Sequence, residues 1–261
     1  MLPVIFKIGH FEIHSYGLML ALAFLVAVVA ISREVKRYDI PLDAIIDLAT
    51  WVLIGAVAGA RIAYVLTDLT EFSGRPWYQV FLVNSGGLAF HGGLIGGFLG
   101  GFWYVKRKKM DPWMLADIVT PYIALGYALV RIGCLLNGCC YGKPTTLPWA
   151  MHCAKDDSLL RHPTQLYSML GSLILFLILY RLRKHKQFPG FLFLLYVGLY
   201  SIMRFSVEFF RESPMVLPWL SLAQLVCVVM AAFSFGLIGI IKWRRYKRGS
   251  GADATPEVPN Q

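Results

Sequence analysis

The sequence predicts an all-α polytopic integral membrane protein with seven transmembrane helices, its N-terminus outside and its C-terminus cytoplasmic. Three observations predict it. Of 261 residues, 57% are hydrophobic and 15% charged, where a soluble domain carries about 25% charged residues, and the mean hydropathy is +0.59. Seven apolar segments, at 15–32, 44–65, 86–105, 114–136, 164–181, 190–210 and 217–241, have roughly the length that crosses a hydrocarbon core. The basic residues alternate between loops. Most of the 25 lysines and arginines fall at 33–37, 106–109, 181–186 and 242–248, whereas the opposite loops hold only Lys7, Arg75, Lys143, Lys155, Arg161 and Arg211. The richer set faces the cytoplasm by the positive-inside rule. The net charge of +10 belongs to that topology, and no nucleic-acid partner is expected.

The first segment lacks a basic start and a small-residue cleavage site, and ends in Ser32-Arg33-Glu34-Val35-Lys36-Arg37, so it reads as a permanent helix. Tyr16, in HSYGLM, stands near its outer end. The second segment carries Arg61 about one turn from its outer end. The third contains GGLAFHGGLIGGFLGG. Gly93, Gly97 and Gly101 form one small-residue stripe and Gly92, Gly96 and Gly100 another, which lets helices approach closely in lipid. The run has no GxxxxGK[ST] nucleotide loop. His91, at the outer end of the stripes, has the side chain that exchanges protons near neutral pH, suited to taking one from a thiol or hydroxyl.

The fourth segment holds Asp117, expected to be structural, and Pro121, expected to kink the helix. It ends in RIGCLLNGCCYG, which contains Arg131, Asn137 and Gly142. The fifth starts at RHPTQLY with His162, and Pro163 suits a first helical turn. The sixth carries Tyr200, Arg204, Glu208 and Arg211. Their spacing of four, four and three puts them on one face, where Glu208 can pair with either arginine. Residues 1–248 read as a single transmembrane domain and 249–261 as a disordered cytoplasmic tail.

Arg61, Arg131 and Arg204 lie inside the apolar runs, where insertion scales put the cost of a charge at roughly 2.5–3.5 kcal/mol at mid-bilayer. All three fall in the outer third of the membrane. Their common depth points to one electropositive site, with Tyr16 and His91 around the same outer cavity; snorkelling to headgroups is the plainer alternative. The five cysteines do not form the framework of a small secreted fold. Cys134, Cys139 and Cys140 read by default as packing residues: the Cys139-Cys140 pair lacks the CxxC spacing of common zinc sites, so no metal is expected, though an outward-facing pair can oxidise, with Cys153 as a candidate partner.

At these residues the chain resembles the prolipoprotein diacylglyceryl transferase family of bacterial inner membranes. The resemblance runs through HSYGLM, GARIAYVL, GGLAFHGGLIGG, RIGCLLNGCCYG, RHPTQLY, YSIMRFSVEFFR and LSLAQ, in that order. The family signature reads roughly GRxGNFxNxExxG. Arg131, Gly133, Asn137 and Gly142 match it, while Cys134 stands where the family has asparagine and Cys139 where it has glutamate. The resemblance implies a membrane transferase of lipoprotein biosynthesis. It would move diacylglyceryl from phosphatidylglycerol to the lipobox cysteine of a prelipoprotein signal peptide, with no metal or organic cofactor. Tyr16, His91, Arg131 and Arg204 would be catalytic. Arg61, Asn137, Gly142, Tyr200, Glu208, Arg211 and His162 would bind substrate. The two cysteine departures motivate an alternative, a lipid-binding or lipid-transport protein of the same fold. A solute transporter ranks lower, for want of an inverted repeat or matched broken helices, as does a thiol–disulfide membrane protein.

Overall fold

Every apolar run forms a helix in the computed structural model, which describes residues 2–8, 11–68, 89–153 and 159–252. The helices are α1 (Ser15–Glu34), α2 (Leu42–Thr67), α3 (Phe90–Arg107), α4 (Pro112–Asn137), α5 (Thr164–Leu182), α6 (Phe191–Glu208) and α7 (Leu222–Ala252). Six are long and apolar enough to cross a membrane, so the protein is a helical, multi-pass membrane protein. The remaining helix, α3, has 18 residues, six of them glycine, and ends in Lys106-Arg107. Glycine contributes little apolar surface, which keeps α3 below the others in hydropathy. The expectations that involve Arg75, Gly86, Gly87 and Lys155, and the tail from 253 onward, lie outside the described residues.

Some boundaries differ from those expected. α7 runs from Leu222 to Ala252. Pro163 is the N-cap of α5 rather than its first residue. Pro121 lies inside α4, as its place in the fourth segment predicts. Three short antiparallel hairpins were not anticipated: β1 (Val4–Ile8) with β2 (Phe11–His14), β3 (Met151–His152) with β4 (Leu160–Arg161), and β5 (Met215–Leu217) with β6 (Leu220–Ser221). Two- to five-residue strands carry too little alternation to stand out beside 20-residue apolar runs. In the first hairpin Lys7 pairs with Glu12 at 2.6 Å, and the Lys7 ammonium holds the exposed Glu12 carboxyl below its ordinary range.

The chain divides into two compact units, residues 28–118 and residues 1–27 with 119–261. In the first, α2 and α3 pack through glycine. Gly55 and Gly59 of α2 face Gly92, Gly96 and Gly100 of α3 so closely that a Cβ on Gly96 would enter the Gly55 carbonyl. Gly93 and Gly97 lie against Ala56, Ala60 and Val52. Both stripes of α3 therefore serve one helix pair, and the GAVAG segment of α2 is the matching small-residue surface. The Tyr104 hydroxyl donates to Asp47 at 3.0 Å near the other end of the pair.

In the second unit the apolar core joins α4, α5, α6 and α7 around Ala124, Leu175, Leu179, Leu192, Leu194 and Ile238. Between helices, Met203 of α6 lies against Gly171 of α5 and Phe235 of α7 against Gly198 of α6. The N-terminal hairpin ties α1 to α4. Leu2 N–H donates to the Leu136 carbonyl at 3.0 Å, Ser15 N–H donates to the Pro3 carbonyl at 2.9 Å, and the Ser15 hydroxyl donates to the Leu2 carbonyl. The start of α1 is thus held beside the end of α4, with Gly133 against Met19 and Tyr16.

Candidate active site

The end of α4 shapes the site. Gly138 takes a left-handed φ of 71°, which glycine adopts without steric cost. Cys139 N–H then reaches the Cys134 carbonyl at 3.1 Å, and Gly138 N–H reaches that of Leu135 at 3.2 Å. This bond pair is a Schellman cap, whose geometry brings the residue after the glycine back over the last full turn. It stacks Cys139 on Cys134. Cys140, also left-handed at φ 64°, turns the chain again, and the three sulfurs come to lie within 4.8 Å of one another. The five cysteines are free thiols.

α5 and α6 grip the loop that follows. Thr164 Oγ1 donates to the Cys140 carbonyl and Gln165 Nε2 to that of Cys139, each at 2.7 Å. Gly142 N–H donates to the His162 carbonyl at 3.0 Å, and a side chain at Gly142 would strike the Phe210 carbonyl. Lys143 N–H donates to Phe210 at 2.8 Å and Lys143 Nζ to the Phe209 carbonyl at 3.2 Å, which satisfies carbonyls that the end of α6 leaves open. Arg161 pairs with Glu212 at 3.5 Å. His162 Nδ1 lies 3.1 Å from Tyr167 Oη, and its ring packs on Phe210.

Arg131 sits one turn before the cap. Its guanidinium lies 4.5 Å from the centre of the Tyr127 ring and donates to Cys134 Sγ at 3.8 Å. Its Nε is buried without a hydrogen-bond partner among the described residues. Tyr127 stands edge-on to Tyr200 of α6 at 5.4 Å, so an aromatic pair bridges Arg131 to the charged face of that helix. There Arg204 forms an ion pair with Glu208, and Arg211 lies 3.9 Å from the same carboxylate. Glu208, 4% exposed, also accepts from the Ser221 hydroxyl at 3.2 Å. Ser221 N–H in turn donates to Gln224 Oε1 at 3.0 Å, and Gln224 N–H donates to Ser221 Oγ at 3.3 Å. This is a capping box at the start of α7. The motif LSLAQ thus caps α7 and fixes Glu208, a role that its Ser-x-x-Gln spacing encodes.

Glu208 consequently holds two arginines and one helix cap. Removing one partner of a buried ion pair costs about 3–5 kcal/mol because the remaining charge stays buried. Glu208→Ala is expected to lower the thermal unfolding midpoint of the detergent-solubilised protein sharply. Glu208→Gln, which can still accept from Ser221, is expected to lower it less. Equal midpoints for Glu208→Ala and the unaltered protein would show that Glu208 does not clamp the helices.

The other unit carries Arg61 and His91. Ala89 N–H donates to the Ala60 carbonyl at 3.0 Å, which fixes the start of α3 beside the last turns of α2. Arg61, buried, and His91, exposed, therefore share one end of this pair. Arg61 lies 5.6 Å from the Tyr64 ring centre, and His91 is edge-on to Phe90.

The family model described as prolipoprotein diacylglyceryl transferase matches residues 3–240. The chain belongs to the prolipoprotein diacylglyceryl transferase family. It is similar to phosphatidylglycerol–prolipoprotein diacylglyceryl transferases across nearly its whole length. It is 36% identical to that of Geobacter sulfurreducens, covering 95% of this chain and 97% of the relative. It is 35% identical to that of Pseudomonas fluorescens, covering 97% and 96%, and 34% identical to that of Synechococcus elongatus, covering 92% and 86%. Seen on this structure, the signature of the diacylglyceryl transferase family spans the capped end of α4. Arg131 precedes the cap, Asn137 closes the helix, and Gly142 passes between α5 and α6. Cys134 and Cys139 are the two residues that the Schellman cap brings together.

Proposed function

We propose that the protein transfers the diacylglyceryl group from phosphatidylglycerol to the lipobox cysteine of prelipoproteins in the bacterial cytoplasmic membrane. The match over residues 3–240 carries this reading, because it covers every residue assigned here and the relatives are named for this reaction. In the reaction, the lipobox sulfur attacks the glyceryl carbon bonded to the phosphate oxygen. The new bond is a carbon–sulfur thioether. The carbon–oxygen bond breaks, its electron pair stays on oxygen, and glycerol phosphate leaves.

Arg131 and Arg204 hold the phosphodiester and stabilise the charge on the departing oxygen, as fixed cations do best where water is scarce. The unpartnered Nε of Arg131 supports this role, since it is a donor with no hydrogen bond to give up within the described protein. His91 accepts the thiol proton, because the thiolate is the effective nucleophile, and Tyr16 orients the reacting groups. Arg61, Asn137, Gly142, Tyr200, Glu208, Arg211 and His162 bind and position substrate. α3 is the seventh crossing, with the N-terminus outside and the C-terminus in the cytoplasm. Residues 161–163 shape the entry for the signal peptide at the outer surface. Both substrates reach the site from within the membrane.

The test is lipoprotein maturation in bacterial cells depleted of their own transferase. Expression of this protein is expected to restore thioether-lipidated lipoproteins. If lipoproteins stay unmodified while the protein accumulates folded in the membrane, a lipid-binding role of the same fold takes its place.

A further inference from the structure

We propose that Cys134, Cys139 and Cys140 form a three-thiolate site for a thiophilic d¹⁰ metal ion, zinc(II) or copper(I). The sulfurs lie within 4.8 Å of one another. At metal–sulfur bonds of about 2.3 Å, tetrahedral ligation sets neighbouring sulfurs about 3.8 Å apart, so closing the site asks the sulfurs to approach by at most about 1 Å. The backbone is already arranged for it. The Schellman cap and the left-handed Cys140 fold a vicinal pair back onto a cysteine five and six residues earlier, a route to three ligands that no CxxC pattern announces. The Cys139 and Cys140 carbonyls are pinned by Gln165 and Thr164, the outer-shell support that orients ligands at metal sites.

Charge favours the same reading. Three thiolates around a mono- or dication leave a net negative site, and Arg131 donates to the Cys134 sulfur at 3.8 Å. Gln165, 1% exposed, keeps its Oε1 without a partner among the described residues, an acceptor of the kind that a metal-bound water satisfies. A disulfide accounts for the cluster less well, since it would join two of the sulfurs and leave the third unused. On binding, the ion forms three metal–sulfur bonds, and each thiol still protonated releases its proton to water. Bound metal would fix the end of α4 one turn from Arg131.

The experiment uses the full chain in detergent, reduced and then freed of reductant without air. Cadmium(II), the probe, is titrated while the ultraviolet thiolate-to-metal charge-transfer band is followed, and zinc(II) is titrated against a chromophoric chelator. One ion per chain is expected. Zinc(II) should shield the half-buried Cys139 and Cys140 together from iodoacetamide, read by peptide mass spectrometry on the unaltered protein. Cys139→Ser and Cys140→Ser should each weaken binding more than about 10-fold, whereas Cys153→Ser and Cys227→Ser should bind normally. Absence of the band in folded, reduced protein, undiminished binding by Cys139→Ser, or alkylation unchanged by zinc(II) would overturn the proposal.

Discussion

Arg131→Lys and Arg204→Lys are each expected to lose about 10²–10³ in transfer rate, the usual loss when one stabilising donor at a developing charge is removed. Both substitutions keep the positive charge. What they remove is the planar guanidinium fork, which binds phosphate at two points where an ammonium acts as a point charge. The two sites should fail differently in stability. Arg204 is paired with Glu208, and lysine can retain part of that pair. Arg131 lies over the Tyr127 ring and donates to the Cys134 sulfur, contacts that a lysine ammonium would not reproduce in the same geometry. The measurement is initial rate at saturating phosphatidylglycerol, with unfolding midpoints recorded for each variant. Near-normal turnover by both lysine variants would remove the two-arginine mechanism.

His91→Gln is expected to lose about 10²–10⁴, the range ascribed to a positioned general base. Glutamine keeps a hydrogen-bonding end but cannot accept the thiol proton. The deficit should therefore depend on pH. A free cysteine thiol ionises at about pH 8.5, so the variant's rate should climb towards that of the unaltered protein as alkaline buffer supplies the thiolate directly. A deficit that stays constant from neutral to alkaline pH would mean that His91 donates to the lipid instead of accepting from the thiol.

Much of this architecture is legible in the sequence because lipid imposes a simple rule: apolar runs of about 20 residues become helices. The pairing of Arg204 with Glu208 on one face of α6 follows from their spacing of four, whereas Arg211 lies past the helix end and approaches the same carboxylate from the turn that follows Glu208. The glycine stripes of α3 announce a close helix contact but not its partner, which required the second stripe in GAVAG of α2. The link between Arg131 and α6 is hidden because it reaches Tyr200 through Tyr127, a residue indistinguishable in sequence from other core aromatics.

The cysteine cluster was obscured for a different reason. Ligand spacing is normally read as a fixed interval, but here a helix cap sets the geometry. Asn137-Gly138 after an apolar run is the signal for such a cap, and it places the residues on either side, Cys134 and Cys139, in contact. The hairpins carried the weakest signal, although β1 and β2 decide where Tyr16 stands by tying Ser15 and Leu2 to the end of α4.

The most direct test of the transferase assignment combines the purified, folded protein in detergent with phosphatidylglycerol labelled in its diacylglyceryl moiety and a synthetic lipobox peptide. The account predicts that label appears on the peptide's cysteine as a thioether, with one glycerol phosphate released per peptide modified. Release of glycerol phosphate without peptide labelling, or no transfer to any lipobox peptide by folded protein, would contradict it.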